Sequence, residues 1–143
     1  MDSFYHFHLI SVGGLCNYFP CVIKVLLADD NKAVRAAIKS LLSSEPQIQL
    51  VGEATTFDET LRMASDVKPD IVLLDLHMPG EENLDASLVK SRLHACAQHV
   101  LIISIWNDDK AIILANEYGA SALLDKIDLG TKLLPAILKF SRV

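Results

Sequence analysis

Residues 71–80 read IVLLDLHMPG, and this stretch sets the expectation for the whole chain. The four apolar residues 71–74 have the length and composition of a strand buried in a sheet. Asp75 follows them, where burial of a charge is costly, and Pro79 with Gly80 prevents the strand from continuing. Alone, an aspartate before Pro-Gly is more often a turn residue than a reactive group, so the rest of the chain has to decide its role.

The length and composition of the chain fit one globular domain. Its 143 residues are 51% hydrophobic and 22% charged, which suffices for a single core. We assign residues 22–143 to that domain. Residues 1–21 contain no Lys or Arg, and polar residues and glycines interrupt their apolar positions, so they lack the pattern of a secretory signal. We expect them to form a flexible or loosely docked extension.

Charge and cysteine content argue against several classes of function. With 13 basic against 18 acidic residues, the chain has a net charge of −5 and no basic stripe for neutralising phosphates, so we expect no direct nucleic-acid binding. No apolar run approaches membrane-spanning length, so we expect no membrane insertion. The three cysteines, Cys16, Cys21 and Cys96, cannot all pair, which favours reduced thiols in a cytoplasmic protein.

Apolar strands and amphipathic helices alternate five times after residue 21. The strand segments are short apolar runs, whereas the helical segments carry apolar residues at the i, i+3, i+4 and i+7 spacing. The predicted strands are 22–30, 48–54, 71–75, 99–104 and 120–125, and the predicted helices are 31–42, 57–67, 84–93, 107–119 and 131–140.

Several helix boundaries carry local signals. Asn31 precedes the first helical segment, and Thr56 with Glu59 forms a T-x-x-E capping box before the second. Gly119 is a C-terminal signal for the fourth helix. Pro135 lies early in the predicted last helix, where a missing N–H group costs least.

This alternation predicts a single-domain α/β fold, a doubly wound five-stranded parallel sheet with helices on both faces. Nearly continuous apolar strands agree, because both faces of such a sheet are covered. Functional groups lie outside the carboxyl ends of its strands, near the point where the strand order reverses. The polar residues at the predicted strand ends are Asp29, Asp30, Asp75, Ser104 and Lys126.

The residue types at these strand ends suit phosphoryl transfer. Three carboxylates about 5 Å apart would repel one another by roughly 3 kcal/mol per pair at an effective dielectric constant of about 20, so a cation must join them. Oxygen ligands favour a hard divalent ion, Mg²⁺ or Mn²⁺. Lys126 and Ser104 supply a positive charge and a hydroxyl donor for phosphoryl oxygens. Asp75 would then attack phosphorus and form an aspartyl phosphate.

The combined pattern resembles a known family. Asp29-Asp30, Asp75 followed by L-H-M-P-G, Ser104 and Lys126, with 126 − 104 = 22 positions between the last two, is similar to the receiver domain of bacterial two-component response regulators. The similarity extends from about residue 22 to the C-terminus. It implies a flavodoxin-like fold with strand order 2-1-3-4-5, in which Asp75 is the phosphoacceptor.

The resemblance also implies roles for the neighbouring residues. Mg²⁺ would be held by Asp30, by Asp75 and by the backbone carbonyl of His77, with Asp29 acting largely through water. The residues that would bind the phosphoryl oxygens are Ser104 and Lys126.

Partners follow from the same resemblance. The phosphoryl group would come from a phosphohistidine on a sensor histidine kinase or a phosphotransfer protein, and the chain would catalyse only its own phosphorylation and slow dephosphorylation. A surface formed by helix four, strand five and helix five would then bind a downstream protein or a second copy of the chain. The segments VLLADDNKAVRAAIKSLL and VGEA are typical of receivers joined to a helix-turn-helix output domain, and we expect no such DNA-binding domain in this chain.

Four positions vary within or depart from the family pattern. Asn83 stands where receivers usually have glycine, and asparagine tolerates a positive φ. Leu123 replaces the usual aromatic residue, which predicts a weaker switch or one that runs through another group. The resemblance also implies that His77 and Trp106, two positions after Asp75 and after Ser104, flank the reactive phosphorus, where Trp106 would either shield it from water or merely pack beside helix four.

Simpler interpretations stay open at this point. Asp29 and Asp30 could cap the first helix, Ser104 could be a buried hydroxyl bonded to backbone, and Lys126 could be a solvated loop charge. A Mg²⁺-dependent phosphohydrolase of the haloacid dehalogenase kind would also use an aspartyl phosphate, although it would need an acid where His77 stands. A phosphorylation-independent interaction module is the other alternative.

Overall fold

A computed structural model describes residues 7–12, 15–20, 22–105 and 108–141 of the chain. None of the helices in these ranges has the length and hydrophobicity needed to cross a bilayer. In chain order, the elements are β1 (Phe7–Val12), β2 (Leu15–Pro20), β3 (Ile23–Ala28), α1 (Lys32–Ser43), β4 (Ile48–Ala54), α2 (Phe57–Val67), β5 (Ile71–Asp75), a 3₁₀ turn (Glu81–Asn83), α3 (Ala86–Cys96), β6 (His99–Ser104), α4 (Asp109–Glu117), β7 (Ala122–Asp125), a second 3₁₀ turn (Lys126–Asp128) and α5 (Leu129–Phe140).

Strands β3 to β7 form one parallel sheet in the spatial order β4-β3-β5-β6-β7. Counted along the chain from β3, this is the order 2-1-3-4-5, so the predicted doubly wound, flavodoxin-like sheet is confirmed. The chain passes from β3 to β4 on one side and then crosses to β5 on the other. The point where the strand order reverses therefore lies between the carboxyl ends of β3 and β5.

The two faces of the sheet are covered by different helices. Alternate strand residues point to opposite faces: Leu26 and Val72 pack with α2, α3 and α4, whereas Val25 and Leu73 pack with α1 and α5. Full burial of one aliphatic side chain contributes about 1.5–3 kcal/mol. Because both faces are covered, the strands gain this contribution on both sides, which explains their nearly unbroken apolar runs.

The predicted starts of α1 and α2 are confirmed. The Asn31 side chain accepts the Val34 N–H group at 3.0 Å, and Thr56 Oγ1 accepts the Glu59 N–H group at 3.1 Å. The Glu59 carboxylate reaches back to the N–H group of Thr55, at 2.7 Å, one residue earlier than in a standard capping box.

The start of α3 differs from the prediction of a helix over residues 84–93. The helix begins at Ala86, because the Asp85 side chain accepts the N–H groups of Ser87 and Leu88 and so acts as its N-terminal cap. The preceding turn has its positive φ at Gly80, where φ is 96°, and not at Asn83, which lies in the first 3₁₀ turn. Asn83 therefore does not need to adopt a positive φ in this turn.

The position of Pro135 also differs from the prediction. Helix α5 begins at Leu129 and not at Thr131, because the 3₁₀ turn after β7 leads directly into it. Pro135 is therefore its seventh residue and lies in the helix interior. Proline has no N–H group to donate there, so the helix loses one backbone hydrogen bond in its middle turn.

The segment before the sheet contains two paired strands. Strands β1 and β2 are antiparallel, with Phe7 opposite Pro20 and Val12 opposite Leu15. The division into an extension (residues 1–21) and a domain (residues 22–143), and the loose attachment of that extension, stay predictions.

Replacing Lys68 by glycine tests how α2 ends. Lys68 is the C-terminal cap of α2 and has a φ of 45°, in the left-handed region that side chains with a Cβ atom disfavour. We expect Lys68→Gly to raise the free energy of unfolding by about 1 kcal/mol, seen as a higher midpoint in urea denaturation.

The matched control is Lys68→Ala, which removes the charged side chain but keeps the Cβ atom. We expect Lys68→Ala to leave the midpoint near that of the wild type. Equal midpoints for the glycine and alanine variants would show that the left-handed backbone at residue 68 is not the source of strain.

Candidate functional site

Three carboxylates converge at the carboxyl edge of the sheet. Asp29 directly follows β3, Asp30 comes next, and Asp75 is the last residue of β5. Carboxylate oxygens of the three residues all lie within 4.8 Å of one another. Asp29 and Asp75 are buried, whereas Asp30 is exposed. This acidic cluster therefore has two buried members and one that faces solvent.

Hydrogen bonds fix Asp29 at the point where the strand order reverses. Its N–H group donates to the Ala54 carbonyl at the end of β4 at 3.0 Å, and its Oδ1 atom accepts the Asn31 N–H group at 2.7 Å. Asn31 in turn caps α1. The interpretation in which Asp29 or Asp30 caps this helix is therefore wrong, and both carboxylates are left to the acidic cluster.

Lys126 brings a positive charge into the acidic cluster. It begins the 3₁₀ turn after β7, and its Nζ atom lies 2.7 Å from Asp29 Oδ2 and 3.4 Å from Asp75 Oδ2. Its side chain is only 12% exposed, so Lys126 is not a solvated loop charge. One ammonium group against three carboxylates still leaves the cluster with a net negative charge.

The surroundings of Asp75 disfavour its charged form. Burial raises the pKa of Asp75 above its usual value of 3.8, and the negative charge of Asp29 raises it further. The His77 N–H group, which donates to Asp75 Oδ1 at 3.1 Å, and the Lys126 ammonium group lower the same pKa without cancelling the rise. An additional cation would therefore favour the ionised carboxylate.

Asp29 Oδ2 shows that the cluster has capacity for such a cation. This buried oxygen accepts no hydrogen bond from the described part of the chain. Its contact with Lys126 has the distance of an ion pair but not the geometry of a hydrogen bond. A negatively charged set of oxygen donors suits a hard divalent ion such as Mg²⁺. The acidic cluster can therefore hold a metal ion.

Ser104 and His77 lie at the same edge of the sheet. Ser104 is the fully buried last residue of β6, and the β5–β6 register pairs Asp75 with Ile103, so Ser104 lies one position further toward the edge. The backbone of His77 contacts the acidic cluster through its N–H group, while its ring Nδ1 lies 3.6 Å from Glu81 Oε2.

Sequence reasoning missed two residues that brace the acidic cluster. Arg35 of α1 donates from Nη1 to the Asp29 carbonyl at 2.8 Å, and its Nε lies 3.3 Å from Glu53 Oε1 on β4. Glu53 Oε2 also pairs with Lys39 at 3.0 Å. The available signal was the place of Arg35 in the first helical turn, where the helix dipole disfavours a cation, so a compensating partner is expected.

The roles of two further positions singled out in the sequence stay untested. Leu123 lies on β7, is partly buried and packs against the core beneath α2, α3 and α4. Its effect on switching stays a prediction. Trp106 lies outside the described residues, so its proposed role beside the phosphorus stays a prediction as well.

Comparison with known proteins identifies relatives along most of the domain. The chain is 34% identical over 102 residues to the nitrate/nitrite response regulator protein NarL of Escherichia coli strain K12, an alignment that covers 71% of this chain and 47% of that protein. It is 32% identical over 116 residues to the transcriptional regulatory protein LiaR of Bacillus subtilis, covering 81% of this chain and 54% of LiaR. The chain thus spans about half the length of the curated relatives it matches.

The fold has the same relatives. The signal receiver domain of a response regulator named NarL from Mycobacterium tuberculosis superposes with a TM-score of 0.75 at 28% identity, covering 85% of this chain and 98% of that one. The family described as the response regulator receiver domain matches residues 25–137. With its parallel sheet, its three converging carboxylates and this match over most of its length, the chain belongs to the response regulator receiver domain family.

Proposed function

We propose that this chain is a phosphorelay receiver that accepts a phosphoryl group on Asp75 in a Mg²⁺-dependent reaction. The observation that carries the proposal is the meeting of Asp29, Asp30 and Asp75 within 4.8 Å, with the Lys126 ammonium group between two of them. A structural cluster would gain nothing from a buried acid whose charged form is disfavoured. A phosphoacceptor has to ionise in order to attack phosphorus, so it has to lie where a cation favours its charged form.

The metal would be Mg²⁺, for which Mn²⁺ can substitute because both accept oxygen ligands. The residues that would hold it are Asp30, Asp75 and, through its backbone carbonyl, His77, with Asp29 contributing largely through water. When bound, the ion would offset the charge of the carboxylates and of the incoming phosphoryl group.

The chain's own residues supply the attacking group and the anion contacts. An oxygen of Asp75 forms the new bond to phosphorus while the bond from phosphorus to the donor histidine nitrogen breaks, and that nitrogen keeps the electron pair and takes up a proton. Lys126 Nζ lies 3.4 Å from Asp75 Oδ2. It is therefore close enough to form an ion pair with an oxygen of a phosphoryl group attached to that carboxylate. The hydroxyl group of Ser104 would donate to a second phosphoryl oxygen.

The switching step would act on the surface formed by α4, β7 and α5. A phosphoryl group adds about −1.5 to −2 charges and three acceptor oxygens, which draw the residues at the ends of β6 and β7 inward. Two isoleucines of α4, Ile112 and Ile113, have exposures of 46% and 59%. Exposed apolar side chains favour a protein partner on this surface, either a downstream protein or a second copy of the chain.

The phosphodonor would be a sensor histidine kinase or a phosphotransfer protein in the cytoplasm. The chain would act as a signalling protein that is itself phosphorylated and not as an enzyme with many turnovers, since the product of the reaction is its own aspartyl phosphate. NarL and LiaR are described as regulator proteins of about twice the matched length. We propose that the output acts through a partner protein and involves no direct nucleic-acid contact by residues 22–143.

Intact-mass measurement after incubation with Mg²⁺ and acetyl phosphate tests the proposed acceptor. We expect the wild type to gain the mass of one phosphoryl group. Asp75→Asn should gain none, because an amide does not attack phosphorus as a carboxylate does. Chelation of Mg²⁺ should abolish the gain in the wild type.

Three outcomes would contradict the proposal. Phosphorylation of Asp75→Asn would place the acceptor elsewhere, and no gain of mass in the wild type with Mg²⁺ present would favour a phosphorylation-independent interaction module. Release of many phosphates per chain without a labelled protein would indicate a phosphohydrolase.

Replacing Arg35 by glutamine tests whether the Arg35–Glu53 pair positions the acidic cluster. The Arg35 guanidinium group holds the backbone carbonyl of Asp29 and is itself held by Glu53. Residues that orient metal ligands in this way typically change metal affinity by about 10- to 100-fold when replaced. We expect Arg35→Gln to weaken Mg²⁺ binding, measured by calorimetric titration, by about tenfold.

Arg62→Gln is the matched control, because Arg62 is exposed on α2 and the same charge is removed away from the cluster. We expect its Mg²⁺ affinity to equal that of the wild type. Loss of stability in Arg35→Gln with unchanged Mg²⁺ affinity would limit Arg35 to a structural role.

A further inference from the structure

A groove of about 800 Å³ lies on the α4 side of the sheet, between the loop after β5 and helix α4. Its volume falls within the range of pockets that bind small molecules. One wall begins at Leu76 and His77, directly after Asp75, and the other is formed by the first and last turns of α4. The apolar residues that line it are Leu76, Leu84, Ala86, Ala111 and Leu114.

Carboxylates dominate the polar lining of the groove. The acidic residues are Glu81, Glu82, Asp108 and Glu117, and the lysine is Lys110. Two of these acids are engaged, because Asp108 caps α4 through the Ala111 N–H group and Glu81 lies beside the His77 ring. With four carboxylates against one ammonium group, the charge of the lining is complementary to a cation.

A second, independent feature of the groove is the side chain of Tyr118. This residue is 2% exposed and lines the groove. Its ring is held by an edge contact with Phe57, with centroids 6.1 Å apart, and its backbone carbonyl lies 3.3 Å from His94 Nε2. Within residues 22–105 and 108–141, no hydrogen bond is made to its hydroxyl group. Among the described residues, Asp29 Oδ2 is the buried side-chain oxygen that lacks a hydrogen-bond partner, so the Tyr118 hydroxyl oxygen keeps contact with solvent and is available to a ligand in the groove.

The electrostatics agree with the geometry. Burial raises the pKa of Tyr118, and the charges of Glu81 and Glu117 raise it further. The hydroxyl group therefore stays protonated at neutral pH and can both donate and accept. Glu81 and Glu117, one from each wall of the groove, both raise the pKa of Tyr118, so both carboxylates lie close enough to influence its hydroxyl group.

We propose that this groove binds a small organic cation with an apolar or aromatic body and a primary ammonium or amidinium group. The body would lie on the aliphatic lining, and the cationic group would face Glu81 and Glu117. The Tyr118 hydroxyl group would accept a hydrogen bond from the ligand's N–H donor. The carboxylates that would face the ligand are not members of the acidic cluster, although His77 borders both sites.

Three indole compounds that differ in charge test the proposal on the full ¹⁵N-labelled chain. Tryptamine is cationic, tryptophol is neutral and indole-3-acetate is anionic, so the aromatic body stays constant. We expect tryptamine to shift the amide resonances of Leu76, Ala111 and Tyr118, with a dissociation constant on the order of 1 mM. Tryptophol should bind about tenfold more weakly, and indole-3-acetate should leave these resonances unchanged.

Three single substitutions locate the contacts. Tyr118→Phe keeps the ring beside Phe57 and removes only the hydroxyl group, so we expect tryptamine to bind about fivefold more weakly. Glu117→Gln should weaken tryptamine and leave tryptophol unchanged. Asp66→Asn is the matched control, because Asp66 is exposed on α2 outside the groove, and its tryptamine affinity should equal that of the wild type.

The proposal fails if the three compounds bind equally, since charge would then play no part. It fails equally if the shifted resonances lie outside the groove. Unchanged tryptamine affinity in both Tyr118→Phe and Glu117→Gln would also overturn it, because neither polar group would then contact the ligand.

Discussion

Asp29, Asp30 and Asp75 hold their carboxylate oxygens within 4.8 Å of one another, and the repulsion between them constrains the rest of the molecule. Two of the three are buried, where water screens the charges least. The Lys126 ammonium group offsets only part of this charge. The folded chain therefore keeps an unfavourable arrangement that a divalent cation would relieve, which is the condition a metal-assisted phosphoacceptor requires.

The parallel sheet makes this arrangement possible. Strands β3 and β5 are neighbours whose carboxyl ends lie at the same edge, and the helices on both faces close off the sides. The Arg35 guanidinium group holds the Asp29 backbone from α1, and the Ala54 carbonyl holds it from β4. Asp29 is thus fixed by its backbone and by its Oδ1 atom, which leaves its Oδ2 atom for a ligand.

Much of the fold was readable from the sequence, because apolar runs and capping residues are local signals. Strands β4, β5 and β6 and helix α2 have the predicted bounds. The acidic residues lie at the ends of β3 and β5, as predicted. The start of α3 was misjudged because the capping role of Asp85 was overlooked, and the interior place of Pro135 was misjudged because the 3₁₀ turn before α5 carries little sequence signal. The contacts of Arg35 with Asp29 and Glu53, and the groove at Tyr118, join residues that are not neighbours in the periodic patterns of the sequence, so those patterns do not predict them.

The free energy of unfolding of the wild type and Asp75→Asn, measured in chelator and in Mg²⁺ across pH, tests the charge repulsion most directly. The folded pKa of Asp75 is raised, so the folded chain binds more protons than the unfolded chain above pH 3.8, and wild-type stability falls as pH rises through that window. In chelator at neutral pH we expect Asp75→Asn to be more stable than the wild type, and we expect this difference to vanish in acid. We expect Mg²⁺ to stabilise the wild type more than it stabilises Asp75→Asn. A wild type as stable as the variant in chelator, with an equal response to Mg²⁺, would contradict the repulsion between these carboxylates and its relief by a metal ion.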